Sequence, residues 1–381
     1  MKEVIEASHA VALGAKLSRP KVIPVYPITP QTHIPEKIAE FVNNGELNAK
    51  ITYVESEHSA ASAMIGALAV GARTYSATSS QGLALMYEIL PILSGMRLPA
   101  VMAVANRALS APINIWNDHS DSVSARDQGW IQLYVESAQE ALDTTIQAFK
   151  ISENRKILLP SMVCLDGFTL SHVFEPVEVP SQKKVDLFLP AFKPLHILDP
   201  KKPKTFGPIA FPDSFMEFKK MVEEAMQESI PVIKKANTDF RKMFGRSYGD
   251  GMLEPYKMQD AKYAVMLMGS ACGTARVIID KLRKKGKKVG MIKVRCLRPF
   301  PKNELTALTK KLNGIAVIDR HISLGYEGPL FTDIRSALYK AKNKPEVIGF
   351  IAGLGGRDIQ LKHIERVFEN LEKGKKGEWL L

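Results

Sequence analysis

The chain has 381 residues, 45% of them hydrophobic and 24% charged, the proportions of an ordinary folded protein with room for two or three domains. Its net charge of +12 is high, yet runs such as "KLRKKGKK" and "LEKGKKGEW" lack interleaved aromatics, which argues against nucleic acid and for a solvated face or a protein interface. Arg97 and Arg107 interrupt the best apolar run before it reaches the roughly 18–20 residues of a membrane span, and the acidic start "MKEVIEASHAVALGAKL" lacks a signal-peptide layout, so the expected location is the cytoplasm.

In chain order, residues 4–17 have helical periodicity and lead into an apolar strand, "KVIPVYPIT". The helix "HIPEKIAEFVNNG", the strand "ITYVES", the small-residue helix "EHSAASAMIGALAVG" and the strand "RTYSATS" follow. Next come the helix "QGLALMYEILPILSG" and the strand "LPAVMAVAN". An irregular loop runs through Asp127 to the helix "AQEALDTTIQAFKISEN" and the strand "ILLPSMVCLDG". Strands this apolar, alternating with helices, predict an α/β fold with a parallel sheet covered on both faces. Prolines then crowd residues 176–212, and a charged amphipathic helix occupies about 213–243. Alternation resumes near residue 260 with "KYAVMLMGS", "TARVIIDKLRKKG", "KVGMIKVRCL", "NELTALTKKL", "GIAVIDRH", "FTDIRSALYKA" and "EVIGFIAG". The expected organisation is a parallel-sheet domain at 1–175, a proline-rich and helical connector at 176–258, and a smaller α/β domain at 259–381.

Ligands of an open parallel sheet sit beyond the carboxyl ends of its strands. The first strand ends in "YPITP", where Pro27 and Pro30 enclose Ile28 and Thr29. Proline cannot donate to a sheet ladder and fixes its own φ, so this is a stiff strand-end turn presenting the Thr29 hydroxyl. The other ends, "VESEH", "ATSSQG" and "ANRALSAPINIWNDHSD", contribute the Glu57 carboxylate, a polar rim and Arg107. Glu57 opens a helix of small residues, and the pattern leaves two roles open. It either caps a helix N-terminus, where negative charge is favoured, or faces a cofactor or subunit that the small residues allow to approach. Asp118, His119 and Asp121 are candidate metal ligands, although Asp-His-Ser-Asp is equally ordinary loop chemistry. "GSACGTA" (269–275) follows a strand and opens a helix, but without GxGxxG spacing or a P-loop lysine it reads as tight strand–helix packing. No Gly-x-Ser-x-Gly occurs, which argues against a nucleophile-elbow hydrolase. Cys164, Cys272 and Cys296 are too scattered for a zinc site or an iron–sulfur cluster.

"YPITP", "VESEHSAASAMIGALAVGARTYSATSSQGLALM", "NRALSAPINIWNDHSD" and "FIAGLGGRDI" together resemble the α subunit of archaeal and bacterial pyruvate:ferredoxin oxidoreductase, over about residues 1–370. The resemblance implies a pyrimidine-binding-type domain of thiamine-diphosphate enzymes followed by a transketolase C-terminal-like domain. By it, Glu57 faces N1′ of the cofactor's aminopyrimidine, and Thr29 and Arg107 contact pyruvate. The implied reaction is oxidative decarboxylation of pyruvate with coenzyme A to acetyl-CoA and CO2, reducing ferredoxin, and reversible as pyruvate synthase. The alternatives are an α subunit for 2-oxoisovalerate or another 2-oxoacid, a non-catalytic scaffold subunit, and a basic binding module. Thiamine enzymes hold the diphosphate through Mg2+ with a Gly-Asp-Gly motif followed closely by Asn. Here "GDG" at 249–251 lies in the connector and the next Asn is Asn303, so it reads as a turn. Mg2+, the diphosphate contacts and the iron–sulfur clusters are therefore expected on partner subunits of β, γ and δ type.

Overall fold

The computed structural model describes residues 2–381. Its amino-terminal elements are β1 (Lys2–Glu6), α1 (Ala7–Ser18), β2 (Val22–Val25), α2 (His33–Asn43), β3 (Lys50–Tyr53), α3 (Glu57–Ala69) and β4 (Tyr75–Thr78). They continue as α4 (Ser80–Leu85), α5 (Leu90–Gly95), β5 (Val101–Asn106), α6 (Ser120–Ser124), β6 (Ile131–Tyr134), α7 (Ala138–Ser152) and β7 (Ser161–Asp166). The chain continues through β8 (Phe174–Glu178), α8 (Gln182–Phe188), α9 (Phe215–Phe244) and β9 (Leu253–Tyr256). The remainder comprises β10 (Tyr263–Leu267), α10 (Ala271–Lys284), β11 (Val289–Val294), β12 (Cys296–Arg298), α11 (Lys302–Thr309) and β13 (Gly314–Asp319). It ends with α12 (Pro329–Leu338), β14 (Glu346–Ala352), a 3₁₀ turn (Leu354–Gly356), α13 (Leu361–Glu372) and β15 (Trp379–Leu380).

The first sheet has the order β12-β6-β7-β5-β4, parallel except for β12. A parallel bridge between Val22 and Thr74 extends it to the parallel pair β2-β3. Every residue of β5 and β7 is buried, because helices cover both faces, and an unbroken apolar run is what such strands need. One face packs on α1, α2 and α7, the other on α3, α5 and α9. Gly14 permits the α1–α7 crossing, since a Cβ there would lie 2.9 Å from the Leu142 carbonyl oxygen and from Thr145 Cβ.

The second sheet has the order β15-β14-β13-β10-β11-β9, parallel except for β9. One hydrophobic cluster runs from Met102 and Val104 of the first sheet to Met266, Ile292 and Val317 of the second. Embedded beside it is a charged knot. Lys293 Nζ lies 2.6 Å from Glu140, 3.2 Å from Glu136 and 3.3 Å from Glu254. Arg295 reaches Glu140 at 3.2 Å, the Gly251 carbonyl at 2.8 Å and Thr144 Oγ1 at 2.9 Å. Burial pulls the Lys293 pKa down, but the three carboxylates outweigh it and hold the lysine charged. These bonds fasten α7 of the first sheet to β11 and β9 of the second.

Several elements differ from the sequence reading. Residues 4–6 are strand rather than helix, because the alternating burial of β1 suits an edge paired antiparallel with β8. "QGLALMYEILPILSG" divides into α4 and α5, and Pro91 sits in the first turn of α5, where its missing N–H is tolerated. β6 lies within the stretch read as loop and turn, since four residues give too short a pattern to signal a strand. "KVGMIKVRCL" breaks at Arg295, so that β11 stays in the second sheet while β12 crosses to the edge of the first. The expected connector also ends in β9, an edge strand of the second sheet. Within it, 249–251 forms a turn in which Asp250 Oδ1 accepts from the Met252 and Leu253 N–H groups, both at 2.9 Å.

Candidate functional site

The site gathers at the carboxyl ends of β2, β4 and β5. After β2 the chain turns through Thr29 and Pro30, whose peptide bond is cis. Gln31 fastens this turn to the sheet: its Oε1 accepts from the Ile28 N–H at 3.2 Å, and its Nε2 donates to the Ala77 carbonyl at 2.8 Å. Thr29 is left exposed at the tip.

Arg107 follows the last residue of β5 and is 7% exposed. Its Nη1 donates to the Thr29 carbonyl at 2.9 Å and its Nε to the Asn114 carbonyl at 2.8 Å. Nη2 has no partner among the described residues. Burial lowers the pKa of this guanidinium, with Asp121 pulling the other way. Thr29 and Arg107, paired in the sequence reading, are therefore in direct contact, through the threonine's backbone.

Glu57 is the first residue of α3 and is 6% exposed. The capping role belongs to Ser56, whose side chain accepts from the Ser59 N–H at 3.2 Å. The Glu57 carboxylate has no hydrogen-bond or ion-pair partner among the described residues. Beside it, the buried Thr78 Oγ1 is also without a partner. Gly82 closes the wall: a Cβ there would lie 2.5 Å from Glu57 Oε1 and 2.6 Å from Thr78 Oγ1. A buried carboxylate without a donor is costly, which marks this wall as a candidate ligand site.

Asp121 ties the two halves of the site together. Its Oδ2 accepts from the backbone N–H groups of Ser80 and Arg107, both at 2.9 Å. Its Oδ1 accepts from Asn106 Nδ2 and the Ser122 N–H, both at 2.7 Å. Burial pushes its carboxyl up to about 6 against the pull of these four donors. Asp118 accepts from the Ser120 N–H at 2.9 Å and the Gly355 N–H at 3.1 Å, while His119 Nε2 meets Asp166 Oδ1 at 2.9 Å. The three candidate ligands of "DHSD", Asp118, His119 and Asp121, thus point to different partners and do not form a metal cage.

The second sheet braces the same loop. Asn114 Nδ2 donates to the Gly355 carbonyl at 3.1 Å, so one residue links the Arg107 guanidinium to the turn after β14. At Gly356 a Cβ would lie 2.3 Å from Trp116 Cβ, which accounts for glycine in "GLGG". Asp166, at the end of β7, accepts from Arg320 at 2.7 Å and from the Ser270 N–H at 2.9 Å, and also bonds the Ser270 hydroxyl. Burial raises its carboxyl, but Arg320 and His119 outweigh that and hold it well below the usual carboxylate range. The Gly269–Ser270 corner of "GSACGTA" therefore docks on Asp166.

Sequence reasoning missed Gln31, Asn114 and Asp121 as positioning residues. Only Asp121 left a signal, in the "DHSD" run first weighed as metal ligands. The thiols of Cys164, Cys272 and Cys296 are buried, and burial pushes that of Cys296 up to about 12. Among the described residues no helix is long and apolar enough to cross a membrane.

A family model described as pyruvate flavodoxin/ferredoxin oxidoreductase, thiamine diphosphate-binding, matches residues 13–238. A second, described as pyruvate:ferredoxin oxidoreductase core domain II, matches residues 261–364. The chain is 54% identical over 375 residues to the pyruvate synthase subunit PorA of Methanocaldococcus jannaschii, covering 98% of this chain and 95% of that protein. It is 45% identical over 374 residues to the ketoisovalerate oxidoreductase subunit VorA of Pyrococcus horikoshii, covering 98% and 94%. Among solved structures it resembles the 2-oxoglutarate:ferredoxin oxidoreductase of Magnetococcus marinus, with a TM-score of 0.74 and 19% identity, a likeness of fold. The match covers 97% of this chain and 65% of that one.

Proposed function

The chain belongs to the pyruvate:ferredoxin oxidoreductase family, and from that premise we propose that Glu57, Thr29 and Arg107 are the residues through which it acts as a pyruvate synthase α-type subunit. It works in a multi-subunit, thiamine-diphosphate-dependent enzyme that converts pyruvate and coenzyme A to acetyl-CoA and CO2 while reducing ferredoxin. The observation that carries the residue assignment is the buried, unpartnered Glu57 carboxylate beside Thr78 and Gly82.

Thiamine diphosphate, when bound, supplies a nucleophilic carbon at thiazolium C2 and the electron sink for decarboxylation. This chain's part is proton placement and substrate orientation. Glu57 shares a proton with N1′ of the aminopyrimidine, and no donor among the described residues of this chain competes for its oxygens. The Thr78 hydroxyl offers a further hydrogen bond on the same wall. Arg107 directs Nη2 at the substrate carboxylate, while its bonds to Thr29 and Asn114 keep the guanidinium from following the substrate. The Thr29 hydroxyl, on the turn that Gln31 fastens, hydrogen-bonds the carboxylate or the 2-oxo oxygen. Mg2+ and the iron–sulfur clusters reside on β, γ and δ-type partners in the cytoplasm, since the cysteines here are buried and apart and Asp250 is committed to its turn.

The similarity to a ketoisovalerate oxidoreductase subunit keeps 2-oxoisovalerate as the second substrate reading. Coexpression with the partner subunits and assay of coenzyme A-dependent ferredoxin reduction decides between them. Pyruvate is expected to give the highest kcat/KM, with the isolated chain inert. A complex that prefers a branched 2-oxoacid overturns the substrate, and turnover by the chain alone overturns the division of labour.

A further inference from the structure

A cluster outside this machinery has the chemistry of a metal site. Glu6 ends β1 and occupies the N-cap position of α1, yet its side chain makes no cap bond. The carboxylate instead turns toward two imidazoles. His33 Nδ1, at the start of α2, lies 2.7 Å from Glu6 Oε1, and His9 Nε2, one turn into α1, lies 3.4 Å from the same oxygen. The three donor atoms all lie within 4.8 Å of one another. His172 stacks on His33 with ring centroids 4.3 Å apart, and its own Nδ1 is engaged by Ser171 Oγ at 2.7 Å.

We propose that Glu6, His9 and His33 bind a divalent transition-metal ion, with Zn2+ the best match, and leave a fourth position to water. Two imidazole nitrogens and one carboxylate oxygen are the donor set of three-ligand zinc sites, whereas Mg2+ and Ca2+ call for oxygen ligands alone. Ligands about 2.1 Å from a tetrahedral centre stand about 3.4 Å apart. The Glu6–His9 pair already has that spacing. The Glu6–His33 pair, closed into a direct hydrogen bond, needs to open by about 0.7 Å, a small torsional change for a ring with 40% side-chain exposure. The Glu6 side chain is only 4% exposed, while His9 at 30% leaves an entry path from solvent. The nearest cation on α2, Lys37, is drawn to Glu40 at 2.8 Å and so does not neutralise Glu6. The ion would join β1 and α1 to the first residue of α2, four residues beyond Thr29. The proposal does not depend on the thiamine reading.

The full-length chain, freed of metal with a chelator, is titrated with Zn2+ by calorimetry and with Co2+ by visible absorption. One equivalent of each is expected to bind, Co2+ giving the intense bands of low coordination, with Mg2+ giving no heat. His9→Gln and His33→Gln should each weaken binding about tenfold or more, with His196→Gln, an exposed histidine elsewhere, unchanged. Should either cluster variant misfold, Zn2+ protection of His9 and His33 against diethylpyrocarbonate, read by peptide mass spectrometry on the unaltered chain, decides instead. Absence of saturable binding, binding indifferent to both cluster substitutions, or modification of the two histidines at the same rate with and without Zn2+ overturns the proposal.

Discussion

Replacing Arg107 by lysine keeps the charge and removes the fork. The guanidinium spends Nε on the Asn114 carbonyl at 2.8 Å and Nη1 on the Thr29 carbonyl at 2.9 Å, leaving Nη2 as the group proposed to meet the substrate. A lysine ammonium is a single point on a flexible stem and cannot serve two fixed carbonyls and a carboxylate at once. Whichever contact it keeps, at least one charge-assisted hydrogen bond in a largely buried setting is lost, worth about 1.5–3 kcal/mol. In kcat/KM for the 2-oxoacid this is roughly a tenfold to hundredfold loss. The fold should tolerate the change, because Asp121 still holds the backbone of residue 107 and Gly355 still holds Asn114. The melting temperature should fall by only about 2 °C or less. The assay is steady-state kinetics on the reconstituted complex beside a melting curve and deuterium exchange at thiazolium C2. A kcat/KM within threefold of the unaltered enzyme refutes the substrate role. A matching loss of C2 exchange would place Arg107 at the cofactor instead.

The brace from the second sheet makes its own prediction. Gly356→Ala puts a methyl 2.3 Å from Trp116 Cβ at a φ of 81°, so the loop carrying Arg107 must shift, and KM should rise roughly tenfold to a hundredfold while the chain stays folded. An unchanged KM removes the brace. Lys293→Met strips the buried Glu140 of its closest cation, and urea denaturation should show a loss of about 3–5 kcal/mol, a loss below about 1 kcal/mol marking the knot as unimportant. Asp121 tests pH dependence. Its folded pKa is raised, so its contribution to stability is fully present below the unfolded value and is lost as pH rises through about 6. Unfolding free energy of the unaltered chain relative to Asp121→Asn should therefore improve between pH 7 and pH 5, and a flat or opposite trend contradicts the assignment.

The parallel strands were legible because burial on both faces leaves nearly continuous apolar runs, as in β5 and β7. The pairing of β1 with β8 and the transfer of β12 between sheets were not. Both depend on partners far away in the chain, and short strands carry little period of their own. In the site, the prolines around Thr29 marked a stiff turn, and Glu57 and Arg107 stood at strand ends where ligands converge. Pattern alone left Glu57 between helix cap and cofactor contact. The structure gives the cap to Ser56 and leaves the glutamate without a donor among the described residues. What supports Arg107 was invisible, since Asn114 and Gly355 meet across 241 positions of sequence and nothing local to either announces the other.

The most direct test concerns the proton that Glu57 is said to control. Glu57→Gln is nearly isosteric and removes only the carboxylate's ability to hold that proton, so the complex should assemble and bind thiamine diphosphate much as before. Hydrogen–deuterium exchange at thiazolium C2, followed by rapid quench and NMR on the assembled enzyme, should slow by about a hundredfold or more. Exchange at the unaltered rate, with cofactor bound, would contradict the central claim and leave Glu57 as a buried helix-end carboxylate with no part in the chemistry.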